Sequence, residues 1–307
     1  MSNKRYPRTI LATVCIPWTE SYQLDERILR DEIRNLIKRD IHNIYLFGTA
    51  GEGYAVTDEQ FDEIVRIFAD EMKAPGLFPM VGLVSLSFGT MLKRLEKAYS
   101  YGIRDFQFSL PSWGVLTDSE LFSFVHKLCD PYPDCRFLNY NLMRTKRVLG
   151  IAEFEKLAEE IPNFVGVKYS NPDITTTVAI AGSSCPLQFF LTEIAFGYAS
   201  MVGEFGYLIS LGTSNIRRAW EYYNAAVNQD KDKLLLLQQE FCQLSKGLMK
   251  SLGGNRIDGA YDKVFSKLID KEFPLRLLPP YEYASEENFN QYRSFLEKEC
   301  PQWLEKN

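Results

Sequence analysis

The chain is poorest in histidine, with two in 307 residues, His42 and His126, and no H-x-H or H-x-x-x-H pair. A histidine-ligated catalytic zinc and a Ser-His-Asp relay are therefore not expected, and acid–base chemistry must rest on tyrosine, lysine or carboxylates. The six cysteines (Cys15, Cys129, Cys135, Cys185, Cys242, Cys300) form no C-x-x-C and read as reduced packing thiols of a cytoplasmic protein. No apolar run approaches membrane-spanning length, and Met1 to Arg8 lacks the apolar core of a signal peptide. Positive charge is not in excess: the formal net charge is -5, so neither nucleic acid nor an anionic membrane is an expected partner. No G-x-G-x-x-G follows the first β-rich run, which removes the usual dinucleotide fingerprint.

What is present is alternation. Thr9 to Val14 is β-rich, and Asp25 to Arg39 keeps helical spacing through Ile28, Leu29, Ile33, Leu36 and Ile37. Ile44 to Phe47 precedes a helix opening at Thr57-Asp58-Glu59, an N-cap residue followed by acids. The pattern repeats with Leu77 to Gly82 and Phe88 to Tyr101, then Asp105 to Leu110 and a helix capped near Asp118. Arg136 to Tyr140 pairs with Ile151 to Glu160, and the strand from Phe164 pairs with Asp173 to Ala181. Gln188 to Leu191 pairs with Ala195 to Val202, and Tyr207 to Ser210 with Asn215 to Asn228. Eight strand–helix units in strict order predict a (β/α)8 TIM barrel over residues 1–228. Past Asn228 the β signal stops. Lys233 to Leu252, Tyr261 to Lys271 and Glu286 to Lys298 predict a three-helix C-terminal extension over residues 229–307.

Catalytic residues of such a barrel lie at the C-terminal ends of its strands, and three unusual stretches fall there. Phe47-Gly48-Thr49-Ala50-Gly51-Glu52-Gly53 follows strand two. Its glycines permit a tight turn whose backbone N–H groups could hold a carboxylate, with the Thr49 hydroxyl as a further donor. A plain strand-to-helix turn fits the same residues. Leu138 to Thr145 ends strand five, where Tyr140 could pass a proton and Arg144 could bind an anion in a bidentate manner. An interior aromatic and a loop salt bridge are equally concrete readings of those two. The third is Lys168, at the end of Phe164-Val165-Gly166-Val167. An ordinary lysine at pH 7 is neutral in only about one copy in 2,500, from a reference pKa of ~10.4. A buried one holds more free amine, able to attack a ketone, whereas a strand-end lysine with its head in water does nothing of the kind.

Taken together, GTAGE at Gly48 to Glu52, YNLMRT at Tyr140 to Thr145 and VGVK at Val165 to Lys168 resemble the dihydrodipicolinate synthase / N-acetylneuraminate lyase superfamily. Their order and spacing match, and the barrel with three trailing helices matches over essentially the whole chain. The resemblance implies that Lys168 forms an imine with the C2 carbonyl of pyruvate or a 2-keto acid. Thr49, with the amides of Thr49 and Ala50, would hold its carboxylate. Tyr140 would be the general acid/base, and Arg144 would meet the distal part of the second substrate. Ile209 would face the lysine with its carbonyl, and Glu52 would tie down the turn. Neither metal nor organic cofactor is implied, since a protonated imine is itself an electron sink. The implied partners are a small 2-keto acid, an aldehyde, and further copies in a homodimer or homotetramer.

The sequence departs from the synthase pattern at three places. The second turn threonine is Ala50, the strand-four Pro-Tyr-Tyr is Pro111-Ser112-Trp113, and the strand-five loop is one residue shorter than YNVPSRT. In the family the second of those tyrosines crosses a dimer interface and joins a hydroxyl relay. The indole of Trp113 donates but does not accept, and its bulk is expected to narrow the mouth of the site as an apolar wall. The expected activity is thus a class I aldolase-type lyase, cleaving or dehydrating a 2-keto-3-deoxy acid. Dihydrodipicolinate synthesis from pyruvate and aspartate semialdehyde is the alternative within enzymes. A non-catalytic keto-acid-binding barrel is the alternative outside them.

Overall fold

The computed structural model describes residues 5–170 and 172–305, so the outermost residues of the expected two-part division lie outside the described residues. Eight strands alternate with eight helices. They are β1 (Ile10–Thr13), α1 (Glu26–Lys38), β2 (Asn43–Leu46), α2 (Asp58–Glu71), β3 (Phe78–Gly82) and α3 (Phe88–Ser100). Next come β4 (Asp105–Phe108), α4 (Asp118–Cys129), β5 (Arg136–Asn141), α5 (Ile151–Glu160), β6 (Phe164–Tyr169) and α6 (Ile174–Ala181). β7 (Gln188–Leu191), α7 (Glu193–Ala199), β8 (Gly206–Ile209) and α8 (Ile216–Val227) complete the set. Each strand pairs in parallel with the next and β8 returns to β1, closing the barrel predicted from the alternation. Three helices follow: α9 (Lys231–Leu252), α10 (Asp258–Ile269) and α11 (Glu286–Glu299).

Strand periodicity separates two cores. Leu11, Tyr45, Met80, Leu138, Phe190 and Leu208 fill the barrel with Tyr6. The alternate residues, such as Ala12, Ile44, Val81, Phe137 and Phe189, pack outward against the helix ring. The barrel floor is polar: Arg136 pairs with Asp105 at 2.6 Å, and the Tyr6 hydroxyl donates to Asp105 at 3.2 Å and Asn43 at 3.1 Å.

β6 contains a bulge. Phe137 pairs with Phe164, but Leu138 pairs with Gly166, so Val165 is an extra residue. Its carbonyl accepts from the Tyr6 amide at 2.9 Å. Four residues apart, Phe164 and Lys168 would share a face of a regular strand. Past the bulge they do not: Phe164 packs outward and Lys168 is turned into the barrel, in register with Tyr140.

The helix start near Tyr261 requires correction. α10 opens three residues earlier, at Asp258. Gly259, in that first turn, is glycine for lack of room: a Cβ there would stand 3.0 Å from the Ala50 carbonyl oxygen. α10 thus rests directly on the turn after β2. Among the described residues no helix is long and apolar enough to cross a membrane.

Candidate active site

Lys168 occupies the next-to-last position of β6 and is 2% exposed. Its Nζ donates to the Tyr45 hydroxyl at 2.9 Å and lies 3.8 Å from the ring centroid of Tyr140. Burial drives its pKa down from 10.5 to about 7; the negative charges of Asp258 and Asp262 oppose the fall, and Arg144 adds to it. At neutral pH a large share of this amine is therefore unprotonated.

Opposite it, the β2–α2 turn is held by two non-glycine residues in the left-handed region, Phe47 (φ 58°) and Glu52 (φ 57°). The glycines expected to provide that freedom serve close approach instead. At Gly48 a Cβ would fall 2.8 Å from the Tyr45 ring and 3.0 Å from Lys168 Nζ. Glu52 is fully buried and explains the strain it carries. It pairs with Lys263 of α10 at 2.6 Å and accepts from Trp18 Nε1 at 2.9 Å and from the Leu278 amide at 2.7 Å. These bonds lock the turn to α10. Among the described residues no protein acceptor takes the backbone amides of Thr49 or Ala50, which leaves both free for an anion.

Tyr140, on β5, shares a hydrogen bond of 3.2 Å with the Thr49 hydroxyl, and burial pushes its phenol up to about 12. The following loop is shaped by Asn141, whose amide and carbonyl bond both backbone groups of Leu149 at 3.0 and 2.9 Å. A short 3-10 turn over Met143–Thr145 then presents Arg144. Its guanidinium bonds both oxygens of Asp258, at 2.7 and 3.2 Å, and reaches Thr49 Oγ1 at 3.4 Å.

Lys168, Tyr140, Arg144, Ala50 and Ile209 all line one cavity of about 720 Å³, within the usual range for small-molecule sites. Thr49 touches it through Tyr140. Within one chain Trp113 does not join them: its side chain is 86% exposed and it lines no part of that cavity. The β4–α4 loop that carries it turns outward, with the Trp113 carbonyl accepting from Lys146 Nζ at 3.1 Å.

Sequence reasoning missed Tyr45, Ser210, Glu193, Asp258 and Asp262, all of which line the cavity. Tyr45 had a signal, since its place in β2 gives it the inward face. Asp258 and Asp262 are four apart and so share a helix face, but nothing in the sequence says which way that face looks. Ser210 joins two carboxylates: its amide donates to Glu193 at 2.6 Å and its hydroxyl to Asp262 at 2.7 Å. Burial raises the pKa of Glu193, and brings that of Asp262 to about 7. Among the described residues no group of three or more His, Cys, Asp or Glu side chains is placed to hold a metal ion.

Comparison with known proteins agrees with this architecture. The chain is 25% identical over 168 residues to a 4-hydroxy-tetrahydrodipicolinate synthase of Methanopyrus kandleri, covering 54% of this chain and 55% of that protein. The match thus spans about half the length of that curated relative. An N-acetylneuraminate lyase of Fusobacterium nucleatum is 21% identical over 246 residues, covering 79% of this chain and 83% of that one. Among solved structures, a prophage protein of the dihydrodipicolinic acid synthase family from E. coli K12, determined with pyruvate, superposes with a TM-score of 0.85 at 17% identity. That superposition covers 95% of this chain and 98% of the other. The family model for the dihydrodipicolinate synthetase family matches residues 6–298, and the chain belongs to that family.

Proposed function

We propose that this protein is a class I lyase that forms an imine between Lys168 and the C2 carbonyl of pyruvate or a 2-keto-3-deoxy acid. The observation that carries this reading is a buried amine with its pKa brought down to about 7 beside a buried phenol, facing a turn with two unengaged amides. In this reading the amides of Thr49 and Ala50 and the Thr49 hydroxyl hold the keto acid's carboxylate. The Lys168 amine attacks C2, water leaves, and the iminium draws in the electron pair of the C3–C4 bond in cleavage, or of a C3–H bond in dehydration, where the resulting enamine expels the protonated C4 hydroxyl as water. Tyr140, hydrogen-bonded to Thr49, gives a proton to the C4 oxygen in dehydration or condensation; in cleavage it takes the C4 hydroxyl proton as its own passes to the Thr49 hydroxyl.

The finer reading is cleavage or dehydration of a 2-keto-3-deoxy acid in preference to dihydrodipicolinate synthesis. Arg144, the group expected to meet a distal charge, already has both Asp258 oxygens as partners. A substrate whose distal end is hydroxylated need not displace that pair, whereas a second carboxylate would compete for it. The protein is taken to assemble as a homodimer or homotetramer, in which Trp113 would approach a cavity only from a neighbouring copy.

Incubation with pyruvate and borohydride, followed by peptide mapping, tests the core claim. Lys168 should carry the adduct, and Lys168→Ala should lose it. An adduct on another lysine, or none with any keto acid tried, would refute the mechanism. Coupled assays on 2-keto-3-deoxy acids and on pyruvate with aspartate semialdehyde then separate the two chemistries.

A further inference from the structure

Acid–base groups flank Lys168 from two sides of the barrel. Tyr140 stands on β5, the neighbouring strand, in register with the lysine. On the other side, beyond β7, Ser210 follows β8 and donates its hydroxyl to Asp262 Oδ1 at 2.7 Å. Asp262 is 7% exposed and lines the same cavity as Lys168 and Tyr140. Among the described residues its second carboxylate oxygen takes no hydrogen bond. None of the roles given above to Lys168, Tyr140, Thr49 and Arg144 uses this carboxylate.

The reaction nevertheless needs a second base. Making the enamine from a pyruvate imine requires removal of a proton from C3, and a phenol whose pKa is pushed up to about 12 is a poor base near pH 7. Building on the lysine-imine reading, we propose that Asp262 takes the C3 proton of the imine and later returns it, with Ser210 holding the carboxylate in place. In this step the C3–H bond breaks and its proton goes to Asp262. The electron pair forms the C2=C3 bond of the enamine, and the C2=N pair moves onto the Lys168 nitrogen. Reprotonation at C3 reverses each change, so no further reactant is needed.

The surroundings fit such a group. Burial raises the Asp262 pKa to about 7, and the Ser210 hydrogen bond limits the rise. The charged and titratable groups facing it are Asp258 of its own helix and Glu193 of α7, which raise it, and Lys168 of β6, which lowers it; Cys15, after β1, and Tyr45 of β2 are also near. A carboxyl poised near neutrality can both accept and return a proton, while Tyr140 stays protonated. Divergent environments of this kind divide acid from base.

The test uses pyruvate alone in D2O, with NMR following deuterium entry into its methyl group and borohydride trapping run in parallel. Asp262→Asn should still give the Lys168 adduct but lose methyl exchange by about 100-fold, the usual scale for a lost base. Exchange within about threefold of the unsubstituted protein, with the adduct intact, overturns the assignment alone. Absence of any adduct in the unsubstituted protein overturns the imine reading and this one with it. Circular dichroism reports whether the variant folds. If it does not, Ser210→Ala decides: loss of the hydrogen bond should move the pH profile of exchange at saturating pyruvate upward, and an unmoved profile overturns the assignment.

Discussion

A lysine amine becomes a nucleophile at neutral pH only when something makes its charge expensive. At Lys168 that is burial, beneath two tyrosine rings and against a turn where even a Cβ at Gly48 would touch the nitrogen. With its pKa at about 7, the rate of pyruvate imine trapping should rise through pH 7 and level off about one unit above. A profile still climbing toward pH 10 would show the amine to be unperturbed. The same shift is linked to stability. Between about 7 and 10.5 the unfolded chain binds more protons at this residue than the folded one, so stability from this residue increases as pH rises through that window. Asp262 runs the other way: its pKa is raised from 3.8 to about 7, and the stability it contributes is lost as pH rises through that lower window. The two windows meet near pH 7, where the pair burdens the fold most.

Two elements turn these residues into a site. The bulge at Val165 reverses the face of β6, without which Lys168 would share the outward side with Phe164. α10 brings Asp258 and Asp262 to the rim, and it is anchored through Lys263 to the buried Glu52 of the β2–α2 turn. Both partners are 0% exposed, and burial pushes the Lys263 pKa down. Glu52→Gln leaves that ammonium without its carboxylate, and removing one partner of a buried pair costs about 3–5 kcal/mol. Urea unfolding should show a loss of that size, together with weaker pyruvate trapping as the turn and α10 separate. A loss below about 1 kcal/mol would mean that the pair is not charged in the folded protein.

At the scale of the molecule, the C-terminal helices are part of the site. α9 contributes Ser245, Leu248 and Met249 to the cavity wall, and α10 contributes the carboxylates. Met143, at the edge of the cavity, and Trp113 and Val115, which do not line it, are 85%, 86% and 60% exposed on the loops after β5 and β4, large apolar side chains without cover in one chain. In the proposed homodimer or homotetramer a second copy would cover them. Light scattering should therefore report a dimer or larger assembly, and Trp113→Glu should shift it toward monomer. A monomeric unsubstituted protein at micromolar concentration would end that reading.

The alternation of short β-rich runs with amphipathic helices was enough to specify a closed (β/α)8 barrel, because strand and helix periods are local properties of the chain. Lys168, Tyr140, Thr49 and Arg144 were singled out only together: each stretch alone fits an ordinary turn or strand end, and it is the order and spacing of the three that resemble one family. Lys168 could be suspected but not aimed, since one extra residue in β6 decides which way it points and a bulge has no local signature here. Asp258 and Asp262 were beyond reach because their helix lies about 90 residues further along the chain, and only the docking of Gly259 on Ala50 turns their face to the lysine. Trp113 marks the opposite limit. Its place in the motif tied it to a site, but within one chain the β4–α4 loop carries it to the surface, and whether it meets a cavity is decided by how copies pack rather than by residue type.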